Sequence, residues 1–159
     1  GCLPGCHPVT PPRWAETLAS MGGLGRLPAP GTFGSLPALL AAWFSPLTLL
    51  ALGVVLAILG FAAIRALIRA GCDDDPGWVV VDETVGMLLA LAARGGAPTL
   101  PGILLAFALF RFFDILKPWP VGWAEEMPGA GGIMLDDVVA GMLACALVAV
   151  ARWSFPGVI

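Results

Sequence analysis

Tyrosine is missing from this 159-residue chain, histidine occurs once, and only 12% of the residues are charged. A charged share about half that of an ordinary soluble domain leaves too few polar side chains to cover a water-facing surface. With 58% hydrophobic residues, much of the molecule's outside is expected to face lipid. A single histidine, His7, excludes chemistry that needs a histidine nucleophile and a second imidazole. The net charge of −3 excludes the basic face that nucleic acid demands.

Cysteine is also sparse. Cys145 lies inside an apolar run and reads as a small hydrophobe. Cys2, Cys6 and His7 form a CxxxCH pattern, which matches neither zinc-ligand pairs nor the CxxCH haem attachment signature. Residues 1–12 are therefore expected to be a disordered tail. No secretory signal is recognisable ahead of the first apolar run. The remainder, 13–159, is long enough for one domain and is expected to be a single membrane-embedded helical unit.

What is present is a series of apolar segments. Residues 13–21 suit a short amphipathic helix ending at Gly22-Gly23, followed by a Pro/Gly-rich turn segment over 26–35. The run from Leu36 to Ile64 would be about 43 Å long as one helix, against a hydrocarbon core of about 30 Å. Ser45-Pro46 predicts a break into two helices. Residues 69–77 form a polar linker, in which Asp73-Asp74-Asp75 reads as a solvated acidic loop. Three more apolar segments follow near 79–93, 101–116 and 133–151. The fold class expected is all-α: a compact bundle of four or five short membrane helices plus the N-terminal amphipathic helix.

Charge placement is the most informative pattern. Asp82 and Glu83 open one segment, Arg111, Asp114 and Lys117 close the next, and Asp136 and Asp137 lie near the start of the last. Successive crossings run in opposite directions, so all three groups fall on one side of the membrane. An even number of passes must then separate the 30–35 turn from Asp82. This topology puts Arg13, Arg26, Arg65, Arg69, Arg111 and Lys117 on the charged side, with Arg94 and Arg152 opposite. The excess of positive charge predicts that the charged side faces the cytoplasm. DETVGML (82–88) and DVVAGML (137–143) form a weak internal echo, each with a glycine four residues after an acid that would let a helix or a lipid headgroup come close.

Ionisable groups in membrane segments are functional candidates. Five carboxylates facing two cations leave three negative charges uncompensated, which one or two Mg²⁺ ions would neutralise, with phosphate oxygens completing the coordination shell. Arg111 and Lys117 are then left to hold phosphate. The blander readings are an i,i+3 ion pair at Asp114–Lys117 and first-turn acids favoured by helix dipoles. PGTFGS (30–35) offers backbone N–H groups and the hydroxyls of Thr32 and Ser35 as a phosphate cradle. Among phosphoryl chemistries, VVVDET lacks the second Asp of an aspartyl-phosphatase strand, and no Cys-x5-Arg loop exists. A water activated by the cation, or an Asp nucleophile, remains. The rival class is a divalent-cation transporter or channel using the same carboxylates.

APGTFGS (29–35), VVDETVGM (80–87), FRFFDILKPWP (110–120) and GGIMLDDVVAGM (131–142) together resemble the bacterial phosphatidylglycerophosphatase A family, in family order over roughly residues 16–155. The resemblance implies a Mg²⁺-dependent enzyme of the bacterial inner membrane that removes the terminal phosphate of phosphatidylglycerophosphate, with the membrane lipid as its partner. It also implies a helical bundle. Carried over by position, the family's acids match Asp82, Glu83, Asp114, Asp136 and Asp137 as catalytic, with Asp82, Glu83, Asp136 and Asp137 as metal ligands. Its substrate-binding residues match Arg111, Lys117, Thr32, Gly34 and Ser35, and Asp75 is the nearest counterpart of a commonly acidic stretch ahead of DE.

Overall fold

In the computed structural model, residues 10–72, 76–93 and 97–155 are described, and every regular element among them is helical. The expectations for the tail with Cys2, Cys6 and His7, for Asp73–Asp75 and for Arg94 lie outside these residues. The first helix, α1 (Arg13–Ala19), buries Ala15 and Ala19. It ends where expected, because Gly22 and Gly23 take φ values of 72° and 101°, which suit glycine best. A 3₁₀ turn over Met21–Arg26 follows.

The next element departs from the sequence reading. The Pro/Gly-rich stretch 26–35 is a turn only in its first part; PGTFGS itself begins a helix, α2 (Pro30–Leu40). Pro30 occupies the first turn, where its missing N–H has no consequence and its fixed φ suits a helix. The glycines here serve close packing rather than a bend: Gly34 lies on Val80, and the Thr84 hydroxyl donates to the Gly34 carbonyl at 2.5 Å.

The break at Ser45-Pro46 is present. Ser45 caps α3 (Pro46–Arg69) by accepting from the Thr48 N–H, and Pro46 starts it. At 24 residues α3 is about 36 Å long. It is not one of two short helices but a full-length one. Then come α4 (Val81–Ala92), α5 (Leu100–Leu116), the short α6 (Val121–Glu125) and α7 (Ala130–Ser154).

The centre of the bundle is α4. It is only 12 residues, about 18 Å long, yet it is buried almost all round, with α2, α3, α5 and α7 packed against it. Its C-terminal end is held by Arg152, whose Nη1 donates to the Ala93 carbonyl at 3.0 Å. Among the described residues, α3 and α7 are the two helices long and apolar enough to cross a membrane. Both present large apolar side chains outward, among them Leu47, Val54, Ile58 and Val150. In soluble helices such faces turn inward; facing out, they fit lipid contact.

The direction of each helix follows from its contacts. Gly31, at the start of α2, lies against Arg111. In α3, Gly53 faces Leu88 and Leu89, whereas Gly60 faces Val81 and Met134, near the acidic pairs. Thus α2 leads away from the charged end and α3 returns to it. The glycines of the internal echo also meet: a Cβ on Gly141 would collide with the Gly86 backbone. Of the two roles expected for them, close helix approach is the one they fill, between α4 and α7.

Candidate active site

Three helices deliver their charged residues to one end of the bundle. From α4 come Asp82 and Glu83, from α5 Arg111 and Asp114, from the α5 terminus Lys117, and from α7 Asp136 and Asp137. One carboxylate oxygen from each of Asp82, Glu83 and Asp137 lies within 4.8 Å of the others. Asp82 and Asp137 are almost fully buried, at 6% and 4% exposure. Asp114 is close enough to interact electrostatically with both Glu83 and Asp137.

The two acidic pairs share a local geometry. Asp82 Oδ1 accepts from the Glu83 N–H at 3.0 Å, and Asp136 Oδ1 accepts from the Asp137 N–H at 2.9 Å. Their outer members are then left free to diverge. Asp137 joins Asp82 and Glu83, whereas Asp136 turns its Oδ2 to the Lys117 ammonium at 2.9 Å. Of the four expected metal ligands, three therefore converge and the fourth is engaged with a cation.

The donor set fits a hard divalent cation. Glu83 Oε2 and Asp137 Oδ1 are buried with no hydrogen-bond partner, and both belong to the converging trio. Uncompensated carboxylate oxygens in a dry place are strongly unfavourable, and an oxygen-seeking cation satisfies them.

The cations flank this group differently. Arg111 Nη1 is 2.6 Å from Asp114 Oδ2, but is not aligned for a hydrogen bond. Its guanidinium also lies flat against Gly31; a Cβ there would stand 2.6 Å from Nη1. The start of α2 is thus brought against Arg111; Pro30 has no N–H there, and the Thr32 and Phe33 N–H groups donate to the Ala29 carbonyl. Thr32 in that first turn is exposed. Ser35 is fully buried and its hydroxyl donates to the Gly31 carbonyl at 2.9 Å, while Gly34 packs on Val80. The structure does not bring these last two into the charged cluster.

Lys117 stands at the end of α5 with φ 45° and ψ 50°. Left-handed backbone at a helix terminus ordinarily selects glycine, so a lysine there points to a need for its side chain. Burial opposes its charge, but hydrogen bonds to Glu125 and Asp136 outweigh this and raise its pKa. The Glu125 contact, at 2.6 Å, was not foreseen from sequence. Eight residues and a non-helical stretch separate the pair, so no helical spacing announces it.

A largely buried carboxylate trio, with Arg111 beside Asp114 and Lys117 on Asp136, at one end of an apolar helical bundle, is a group that could hold a metal ion. Comparison with known proteins narrows this class. Residues 17–152 match the family model described as Phosphatidylglycerophosphatase A. The chain is 43% identical to the phosphatidylglycerophosphatase A of Haemophilus influenzae over 79% of this chain and 81% of that protein. It is 36% identical to the Escherichia coli protein of the same name, over 74% of this chain and 71% of that one. A Bacteroides thetaiotaomicron protein, provisionally named a phosphatidylinositol-3-phosphatase, is 40% identical over 79% of this chain and 84% of its own length. The chain belongs to the phosphatidylglycerophosphatase A family, a family of phosphatases. No solved structure matches it.

Proposed function

We propose that this protein hydrolyses the terminal phosphomonoester of phosphatidylglycerophosphate, releasing phosphatidylglycerol and inorganic phosphate, with Mg²⁺ as cofactor. The observation that carries the reading is the trio of buried Asp82 and Asp137 with half-buried Glu83, two of whose carboxylate oxygens are buried without any donor, beside Arg111 and Lys117. The family assignment supports the lipid. The relatives' names include two different lipid phosphates, so the shared chemistry is a phosphomonoester on a glycerophospholipid headgroup.

In this reading Asp82, Glu83 and Asp137 hold the cation, and Asp136 contributes by fixing Lys117. When bound, Mg²⁺ supplies charge neutralisation on the phosphate and activation of water. The residues of the chain do the rest. The Arg111 fork grips equatorial phosphate oxygens beside the start of α2, with the Thr32 hydroxyl at the edge of the headgroup. Lys117 meets the phosphate from the opposite side as a point charge. A carboxylate oxygen of the cluster that does not hold the cation accepts the proton of the attacking water as the bond from phosphorus to the lipid oxygen breaks. The departing alcohol takes its proton from solvent. Gly34 and Ser35 act indirectly, by seating α2.

The same reading sets the protein in the bacterial inner membrane. There α3, α5 and α7 span, α2 and α4 fill the interior as partial spans, and α1 lies along the surface as an amphipathic helix. The site faces the cytoplasm at headgroup depth, where the lipid's tails stay in the bilayer. Residues 13–159 form the single catalytic domain. A cation conduit is disfavoured because Arg111 and Lys117 would repel the permeating ion.

The test is phosphate release from phosphatidylglycerophosphate by the purified protein in detergent. Activity should require Mg²⁺, vanish with EDTA and return on adding Mg²⁺. Asp82→Asn and Asp137→Asn should each lower kcat/KM by about 100-fold or more. Full activity in EDTA, or unchanged rates in both variants, would overturn the mechanism.

A further inference from the structure

Lys117 does not rest on the acid cluster alone. Its ammonium is suspended between Asp136 Oδ2, at 2.9 Å within the bundle, and Glu125 Oε1, at 2.6 Å on the outside. A cavity of about 240 Å³ opens beside it, lined by Lys117, Glu125, Met127, Pro128, Ile133 and Asp136. The segment between α5 and α7 is built to bring Glu125 back. The left-handed backbone at Lys117 turns the chain, and α6 carries it round, with Gly122 packed under the Lys117 carbonyl.

Without Glu125 the ammonium would be drawn inward. Five carboxylates face only two cations at this end of the bundle, and a lysine on a flexible four-carbon stem follows the field. It would then settle among the carboxylates instead of at the cavity. We propose that Glu125 is a positioning residue that tethers Lys117 at the mouth of this cavity, where the ammonium meets the phosphate of the lipid headgroup. The proposal rests on the phosphatase reading. Glu125 touches neither the carboxylate trio nor the reacting atoms; it acts through Lys117.

Because Lys117 would hold the phosphate equally in the ground and transition states, its displacement weakens binding rather than turnover. Glu125→Gln should raise KM for the lipid phosphate by about threefold to tenfold with kcat changed less than about twofold. Glu126→Gln, the same charge change one residue along at an exposed position, should leave KM unaltered, which separates tethering from bulk charge. In a Lys117→Met background, Glu125→Gln should have no further effect. Glu125→Asp, shorter but charged, should fall between wild type and Glu125→Gln. The proposal is overturned if Glu125→Gln leaves KM unchanged, if it lowers kcat as much as kcat/KM, if Glu126→Gln matches it, or if its effect persists without Lys117. Failure of the phosphatase reading looks different: the wild-type protein itself would release no phosphate.

Discussion

A methyl group added at Gly86 should disable the site without touching any charged side chain. Gly86 lies one turn beyond Asp82 on α4, where α7 crosses it most closely. A Cβ there would stand 2.6 Å from the Asp137 carbonyl oxygen, 2.9 Å from Phe110 Cζ, and nearer still to the neighbouring ring carbon. Ordinary contact begins near 3.4 Å, so α4 and α7 must part by a little under 1 Å. Overpacking of this kind destabilises by about 1–3 kcal/mol. The functional effect should be larger than the structural one, because the atom displaced belongs to Asp137. Its carboxylate must converge with Asp82 and Glu83, and an error near 1 Å in a catalytic constellation lowers rates by about 100-fold. Gly53→Ala, on α3 where it faces α4, is the matched control. Its Cβ would meet Leu88 and Leu89 at 3.8 Å, an ordinary contact, and alanine favours the helix by up to about 1 kcal/mol. Phosphate release, thermal unfolding and Mn²⁺ binding should be measured on both variants in detergent. We expect Gly86→Ala to remain folded, to bind Mn²⁺ more weakly and to lose most activity, with Gly53→Ala at or above wild-type stability and fully active. If Gly86→Ala keeps activity within about twofold and binds Mn²⁺ normally, helix approach does not set the carboxylate geometry and the reasoning fails.

Other substitutions probe separate links. Arg111→Lys keeps the charge but removes the planar fork that lies against Gly31, and should lower kcat/KM by about 10-fold or more with little change in unfolding temperature. Thr84→Val removes the hydroxyl joining α4 to the Gly34 carbonyl; a loss of about 0.5–1.5 kcal/mol in stability is expected by denaturation.

Much of this arrangement is legible in the sequence because it rests on local rules. Ser45-Pro46 interrupts an apolar run with a capping hydroxyl and a proline, and α3 starts there. The three charged groups fall alternately at segment starts and ends, and parity alone brings Asp82, Arg111 and Asp137 to one level. The start of α2 was hidden because Pro and Gly suggest a turn. Here Pro30 begins a helix, and Gly31 and Gly34 exist for what they touch, Arg111 and Val80. Adjacent acids posed a harder problem. Nothing in the pair Asp136-Asp137 tells which faces Lys117 and which joins Asp82, since that depends on where α5 ends and how α7 is rotated. Glu125 is the extreme case, since its partner is fixed by the path of the 118–129 segment rather than by any periodicity.

The near-complete burial of α4 bears on how such a protein can change. A helix enclosed on nearly all sides by α2, α3, α5 and α7 has little room for new side chains, so the chemistry it carries is locked by its neighbours' shapes. The strap from Pro118 to Gly129 is bound less completely: Val121 and Ala124 anchor it in the core, while Trp119 and Trp123 stand exposed. A lineage that needed to accept a different headgroup would find its freedom there. Packing fixes the carboxylates, whereas the exposed positions of the strap can vary without disturbing the core.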